Sequence, residues 1–75
     1  MKKIYCILCY DEKLGITYLC NGAYKKEEEA LEVIKERDPG VIIKKLKDKV
    51  YFDEVNIILY RIEEVYYSET KNIQQ

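Results

Sequence analysis

In the first ten positions both alternating sets are apolar: Ile4, Cys6, Leu8 and Tyr10 form one, Tyr5, Ile7 and Cys9 the other. A run of this kind, rich in β-branched and aromatic residues, predicts a strand over 3–10. Asp11-Glu12-Lys13-Leu14-Gly15 supplies turn residues, and Ile16-Thr17-Tyr18-Leu19-Cys20 returns as a second strand, so 3–20 reads as a hairpin. A turn of four or five residues decides whether Tyr18 or Leu19 shares a face with Leu8.

After Asn21-Gly22 the period changes. Residues 24–37 are strong helix formers, with a narrow apolar stripe at Tyr24, Ala30, Leu31, Val33 and Ile34. Glu27, Glu28 and Glu29 stand early and Lys35 and Arg37 late, complementing the helix dipole. Asp38-Pro39-Gly40 ends the helix, because the residue before proline is pushed out of helical geometry and glycine accepts the positive φ beyond the last turn.

Val41–Leu46 predicts a third strand, Lys47-Asp48-Lys49 a turn and Val50-Tyr51-Phe52 a fourth, with Asp53-Glu54 as a bulge or second turn. Residues 55–67 fit a helical stripe at 55, 58, 59, 62, 65 and 66. Yet nine of these thirteen residues are Val, Ile, Leu or Tyr, and that composition favours a strand. The segment 68–75 is polar and is expected to fray. The expectation is a single α+β domain over 1–67: an antiparallel sheet in the order β-β-α-β-β, with room for a fifth strand, and one helix on one face. Strands apolar on both sides call for cover on both sides. With one short helix available, the second cover is expected to be another copy of the chain, most simply in a two-fold dimer, and Ile58 is expected on that second face.

Composition narrows the function. At 75 residues one small core is the limit, since such a chain buries only about 60% of its unfolded surface. A formal charge of −1, from 13 Lys and Arg against 14 Asp and Glu, gives no general field toward long nucleic acid or anionic membranes. No run reaches the roughly 18 residues of a membrane span. The N-terminal Lys2-Lys3 and apolar run resemble the start of a signal peptide, but Asp11-Glu12-Lys13 interrupts it, so a cytoplasmic location is expected. The three cysteines are an odd number, which speaks against a secreted disulfide framework. Cys6 and Cys9 have C-x-x-C spacing, but on a strand residues three apart face opposite sides, so both, like Cys20, read as structural thiols.

Histidine is absent, which removes the commonest general base and zinc ligand. Asp53-Glu54 and Glu63-Glu64 are adjacent pairs whose members diverge on a strand. Ser68 has no base partner, and Gly15, Gly22 and Gly40 stand alone. No enzyme activity and no cofactor are expected. The unusual count is eight tyrosines, too many for so small a core. Lys44, Lys45, Lys47 and Lys49 cluster around the third turn, with Arg61 further on. Lysines of this kind commonly protect an exposed strand edge. They also suit an anion site in which cations hold phosphates while a tyrosine face stacks on a base. The residues expected to bind such a ligand are Tyr51, Tyr60, Lys44, Lys45 and Arg61.

In its short length and its richness in Lys, Ile, Glu and Tyr, the chain resembles accessory proteins encoded by bacteriophages and mobile elements of AT-rich bacteria. That compositional resemblance implies one of two tasks without catalysis: sequestering a small nucleotide signal between subunits, or covering a host protein with an exposed Tyr and Ile surface. A purely structural oligomerisation module is the third reading.

Overall fold

The computed structural model describes residues 2–20 and 22–68. Its elements, in chain order, are β1 (Lys2–Asp11), β2 (Ile16–Leu19), α1 (Glu27–Glu36), β3 (Ile43–Lys47), β4 (Val50–Asp53) and β5 (Ile58–Tyr67). The five strands form one antiparallel sheet in the order β2-β1-β5-β4-β3, with α1 on one face, an α+β arrangement. The expected frayed tail lies, beyond Ser68, outside the described residues.

The two long strands, β1 and β5, pair along their whole length, from Lys2 opposite Tyr67 to Asp11 opposite Ile58. They form the centre of the sheet, and the short strands flank them. The first hairpin closes through residues 12–15. The Asp11 carboxylate accepts the N–H groups of Lys13 and Leu14 at 3.0 and 3.2 Å, and Gly15 takes a φ of 67°. Its register places Leu19, not Tyr18, on the face of Leu8, and Tyr18 opposite Cys9. Beyond β2 the chain returns to β1 for one more bridge, in which Tyr5 and Tyr24 exchange backbone hydrogen bonds of 2.7 and 2.8 Å. Tyr24 therefore belongs to the sheet edge, and the helix begins three residues later than its propensity suggests.

The N-terminus of α1 is held by acidic residues: the Glu29 carboxylate accepts the Lys25 N–H at 3.2 Å, and Glu27 pairs with Lys49 at 3.6 Å. The helix lies across β1 and β5, burying Ala30 and Ile34 against Tyr5, Ile7, Cys9, Tyr51, Tyr60 and Ile62. Leu31 and Val33 complete the contact. Since β2 and β3 form opposite edges, the connection carrying α1 crosses the whole sheet on this side, and among the described residues no element covers the other side.

Residues 54–57 form a turn, so the last strand starts at Ile58 rather than Val55. Ile58 lies on the helix face, opposite Asp53 and Asp11, and packs against the core. This corrects its expected place on the second face: the turn absorbs three residues that a continuous strand would have used, and its length sets which alternating set of β5 meets the helix.

Candidate functional site

The pairing registers assemble the uncovered face row by row, since residues directly opposite on neighbouring strands share a face. One row runs Leu19, Leu8, Arg61, Val50, Lys47 across all five strands. The next runs Thr17, Tyr10, Leu59, Phe52, Lys44. Both start apolar or uncharged at the β2 edge and end on a lysine at the β3 edge. Beyond them, toward the other end of the sheet, Cys6 faces Glu63 and Ile4 faces Val65.

Between these two rows lies a depression of about 290 Å³ lined by Leu8, Tyr10, Thr17, Lys47, Val50, Leu59 and Arg61. Its floor is hydrocarbon from Leu8, Val50 and Leu59. Tyr10 and Thr17 stand on the β2 side, Lys47 stands on the β3 side, and Arg61 lies on the central strand between Leu8 and Val50. Arg61 is paired through Nε with the Glu63 carboxylate, whereas Lys47 has no carboxylate partner among the described residues. A β-bulge between Lys45 and Lys47 shifts the register of β3 and brings Lys47, rather than Leu46, opposite Val50.

The five residues expected at a ligand site do not come together. Tyr51 and Tyr60 lie side by side under the helix, 6% and 2% exposed, in a row Tyr18, Cys9, Tyr60, Tyr51, Lys45 on the covered face. Their rings are core, and in this chain neither offers a face on which a base could stack. Burial pushes the Tyr60 phenol up to about 12, so it stays protonated at neutral pH. Lys45 belongs to that same face, at its exposed margin. Lys44 and Arg61 are on the open face, with Lys44 held to Glu54 at 2.7 Å. The split follows from strand geometry: Lys44 and Lys45 are sequence neighbours and point to opposite sides.

Of the residues that line the depression, only Arg61 was among the five expected; Lys47 stood in the lysine cluster, and Leu8 and Tyr10 in the doubly apolar first strand. The lateral placement of Lys47 depends on the bulge, which leaves no mark in the sequence.

A second cluster lies under the C-terminal end of α1. The Arg37 guanidinium reaches through Nη1 to Cys20 Sγ at 3.1 Å, Cys9 Sγ at 3.3 Å and the Tyr60 hydroxyl at 3.5 Å, and lies over the rings of Tyr18 and Tyr60. The two sulfur atoms are 2.7 Å apart. Cys6, by contrast, faces the open side, so the C-x-x-C spacing does not make a pair. Among the described residues no group of His, Cys, Asp or Glu is arranged to hold a metal ion, and no helix is long and apolar enough to cross a membrane.

No protein-family model matches the chain, and no curated protein or solved structure is significantly similar to it.

Proposed function

We propose that the chain is a non-enzymatic binding protein that acts as a two-fold dimer through its uncovered sheet face and holds a small nucleotide in the depression between Tyr10 and the Lys47–Arg61 pair. The observation that carries this reading is the make-up of that depression. Apolar carbon forms the floor, a phenol ring and a hydroxyl stand on one side, Lys47 stands on the other, and Arg61, paired with Glu63, lies on the central strand between them. A nucleotide presents the matching pattern, with a planar base at one end and phosphate charge at the other. Among the described residues the lining has no carboxylate and no thiol, a set suited to holding a ligand.

Size supports the dimer. Sites that enclose a small molecule usually span about 300–1,000 Å³, so a depression of about 290 Å³ on one chain suits half of a composite site. A second copy related by a two-fold axis brings an identical half and covers Leu8, Leu59 and Phe52 at the same time. The ligand then lies between subunits, as expected from sequence, but on Tyr10, Lys47 and Arg61 rather than on Tyr51 and Tyr60.

The test is a panel of mono-, di- and cyclic nucleotides followed by thermal shift, with native mass spectrometry of gently purified protein to detect any retained ligand. Changing Lys47 and Arg61 together to Ala is expected to weaken nucleotide binding by at least about 100-fold, since hydrogen bonds to charged groups contribute about 1.5–3 kcal/mol each. Lys45→Ala, on the other face, is expected to leave affinity unchanged. Equal affinity of the double variant and the parent would take the site away from this depression. A protein that no nucleotide stabilises, but that retains a partner protein, would move the function to the exposed end of β5, where Tyr66 and Tyr67 favour the second reading of a protein-covering surface.

A further inference from the structure

The pairing of Cys9 and Cys20 has no part in the nucleotide reading, and its geometry points to a different chemistry. Cys9 is fully buried on β1; Cys20 follows β2 and is half-buried. The Cys20 N–H donates to the Ile7 carbonyl at 2.9 Å, which fixes the backbone on which its thiol is carried toward Cys9. Their sulfurs are 2.7 Å apart, against about 2.05 Å in a disulfide bond, so the two thiols are already in contact on one face of the hairpin. Arg37 donates to both sulfurs, and a guanidinium in that position stabilises a thiolate over a thiol. Access is one-sided: a depression of about 370 Å³, lined by Tyr18, Leu19, Cys20, Tyr24, Val33 and Arg37, opens onto Cys20 and not onto Cys9.

We propose that Cys9 and Cys20 form a redox-active dithiol that exchanges with low-molecular-weight disulfides, Cys20 attacking and Cys9 resolving. In the first step the Cys20 thiol gives its proton to water and its thiolate attacks one sulfur of the small disulfide. The S–S bond of that molecule breaks, and one thiolate leaves and is protonated. In the second step Cys9 loses its proton and attacks Cys20 Sγ; the mixed disulfide breaks, and the second small thiolate leaves. Two electrons pass from the protein to the small disulfide, which departs as two thiols, and the protein retains a Cys9–Cys20 disulfide between β1 and the end of β2. The order of attack follows from access and from burial, which with the adjacent Cys20 pushes the Cys9 thiol up to about 12. Cys9 is therefore the poorer first nucleophile, and becomes the resolving group once Cys20 is held in the mixed disulfide beside it.

The experiment uses oxidised glutathione as the probe on the full chain, followed by alkylation of remaining thiols and peptide mapping by mass. The expected product of the unmodified sequence is a Cys9–Cys20 disulfide with Cys6 as the single alkylated thiol. In Cys9→Ser the reaction is expected to stop at a glutathione adduct on Cys20, and Cys20→Ser to leave Cys9 unreacted. Arg37→Gln is expected to slow the first step at neutral pH about tenfold, because the attacking sulfur loses the cation beside it. Three alkylatable thiols after treatment, a glutathione adduct found chiefly on Cys6, or a mixed disulfide that persists in the unmodified sequence would each overturn the proposal. Mapping of the unmodified sequence decides the matter even where a variant fails to fold.

Discussion

Replacing Asp53 by alanine is expected to cost about 3 kcal/mol of stability, lowering the melting temperature by roughly 12–24 °C in a domain of this size. Among the described residues Asp53 is the one charged residue in the core, 1% exposed at the end of β4. One carboxylate oxygen accepts the backbone N–H groups of Val55 and Asn56 at 2.9 and 2.8 Å, and the other accepts the Asn56 side-chain amide at 2.8 Å. The same amide donates to Asp38 at 2.8 Å, tying the turn to the segment that follows the helix. What this network holds in place is unfavourable on its own: Ile57 closes the turn with a φ of 57°, a left-handed conformation that costs a β-branched residue on the order of 1–3 kcal/mol. Without the carboxylate two backbone N–H groups lose their acceptor and Ile57 loses the constraint that keeps it left-handed. Chemical or thermal denaturation of Asp53→Ala reads the loss directly. A melting temperature within about 3 °C of the parent would show that the turn closes without the carboxylate.

The pH dependence gives an independent reading with no mutation. Burial alone would raise the Asp53 pKa, but the N–H donors of Asn56 and Val55, with the more distant charge of Lys13, outweigh it and hold the pKa below the ordinary value. A carboxylate whose pKa is lower in the folded chain stabilises it fully above its unfolded value of about 3.9, and that stability is lost as the pH falls through the folded pKa. The melting temperature is therefore expected to fall below about pH 4, and the gap between the parent and Asp53→Asn to narrow over the same range.

Much of the frame is legible because β1 and β2 are β-rich runs separated by turn residues and α1 follows a helical period. The apolar, β-branched and aromatic run of 3–10 and the acidic start of the helix place these elements, and strand geometry assigns Cys6 and Cys9 to opposite faces. The final third is less legible for a definite reason. In 55–67 both alternating sets are apolar, so the pattern does not say which set meets the helix. That choice is made by the turn at 54–57, whose sharpness depends on a left-handed isoleucine that no propensity would suggest. The same ambiguity explains the candidate site. Tyr51 and Tyr60 look like Tyr10, Tyr66 and Tyr67 in sequence, and only the register of β4 on β5 puts them under the helix. The neighbouring sulfurs of Cys9 and Cys20 depend on the register of the first hairpin, which a loop one residue longer would have changed.

That dependence on register makes two adjacent residues of β5 the sharpest test of the proposed assembly. Leu59 lies on the open face between Tyr10 and Phe52; Ile58 points the other way, into the core beside Asp53. An aspartate at 59 meets solvent in a single chain, since no element among the described residues covers that face, but in the proposed dimer it puts a desolvated charge where Leu8, Leu59 and Phe52 make apolar contact. Leu59→Asp is therefore expected to leave the far-UV circular dichroism and most of the thermal stability in place while weakening self-association by roughly 100- to 1,000-fold, the equivalent of about 3–4 kcal/mol. Nucleotide binding should fall with it, because the composite site loses its second half. Ile58→Asp buries the same charge in the core and is expected to unfold the chain instead. Sedimentation velocity across a concentration series separates the outcomes. If Leu59→Asp associates as the parent does, the open face is not the subunit contact. If both variants unfold, the face is covered from within the folded chain, and its apolar rows contribute to the chain's own stability rather than to an interface.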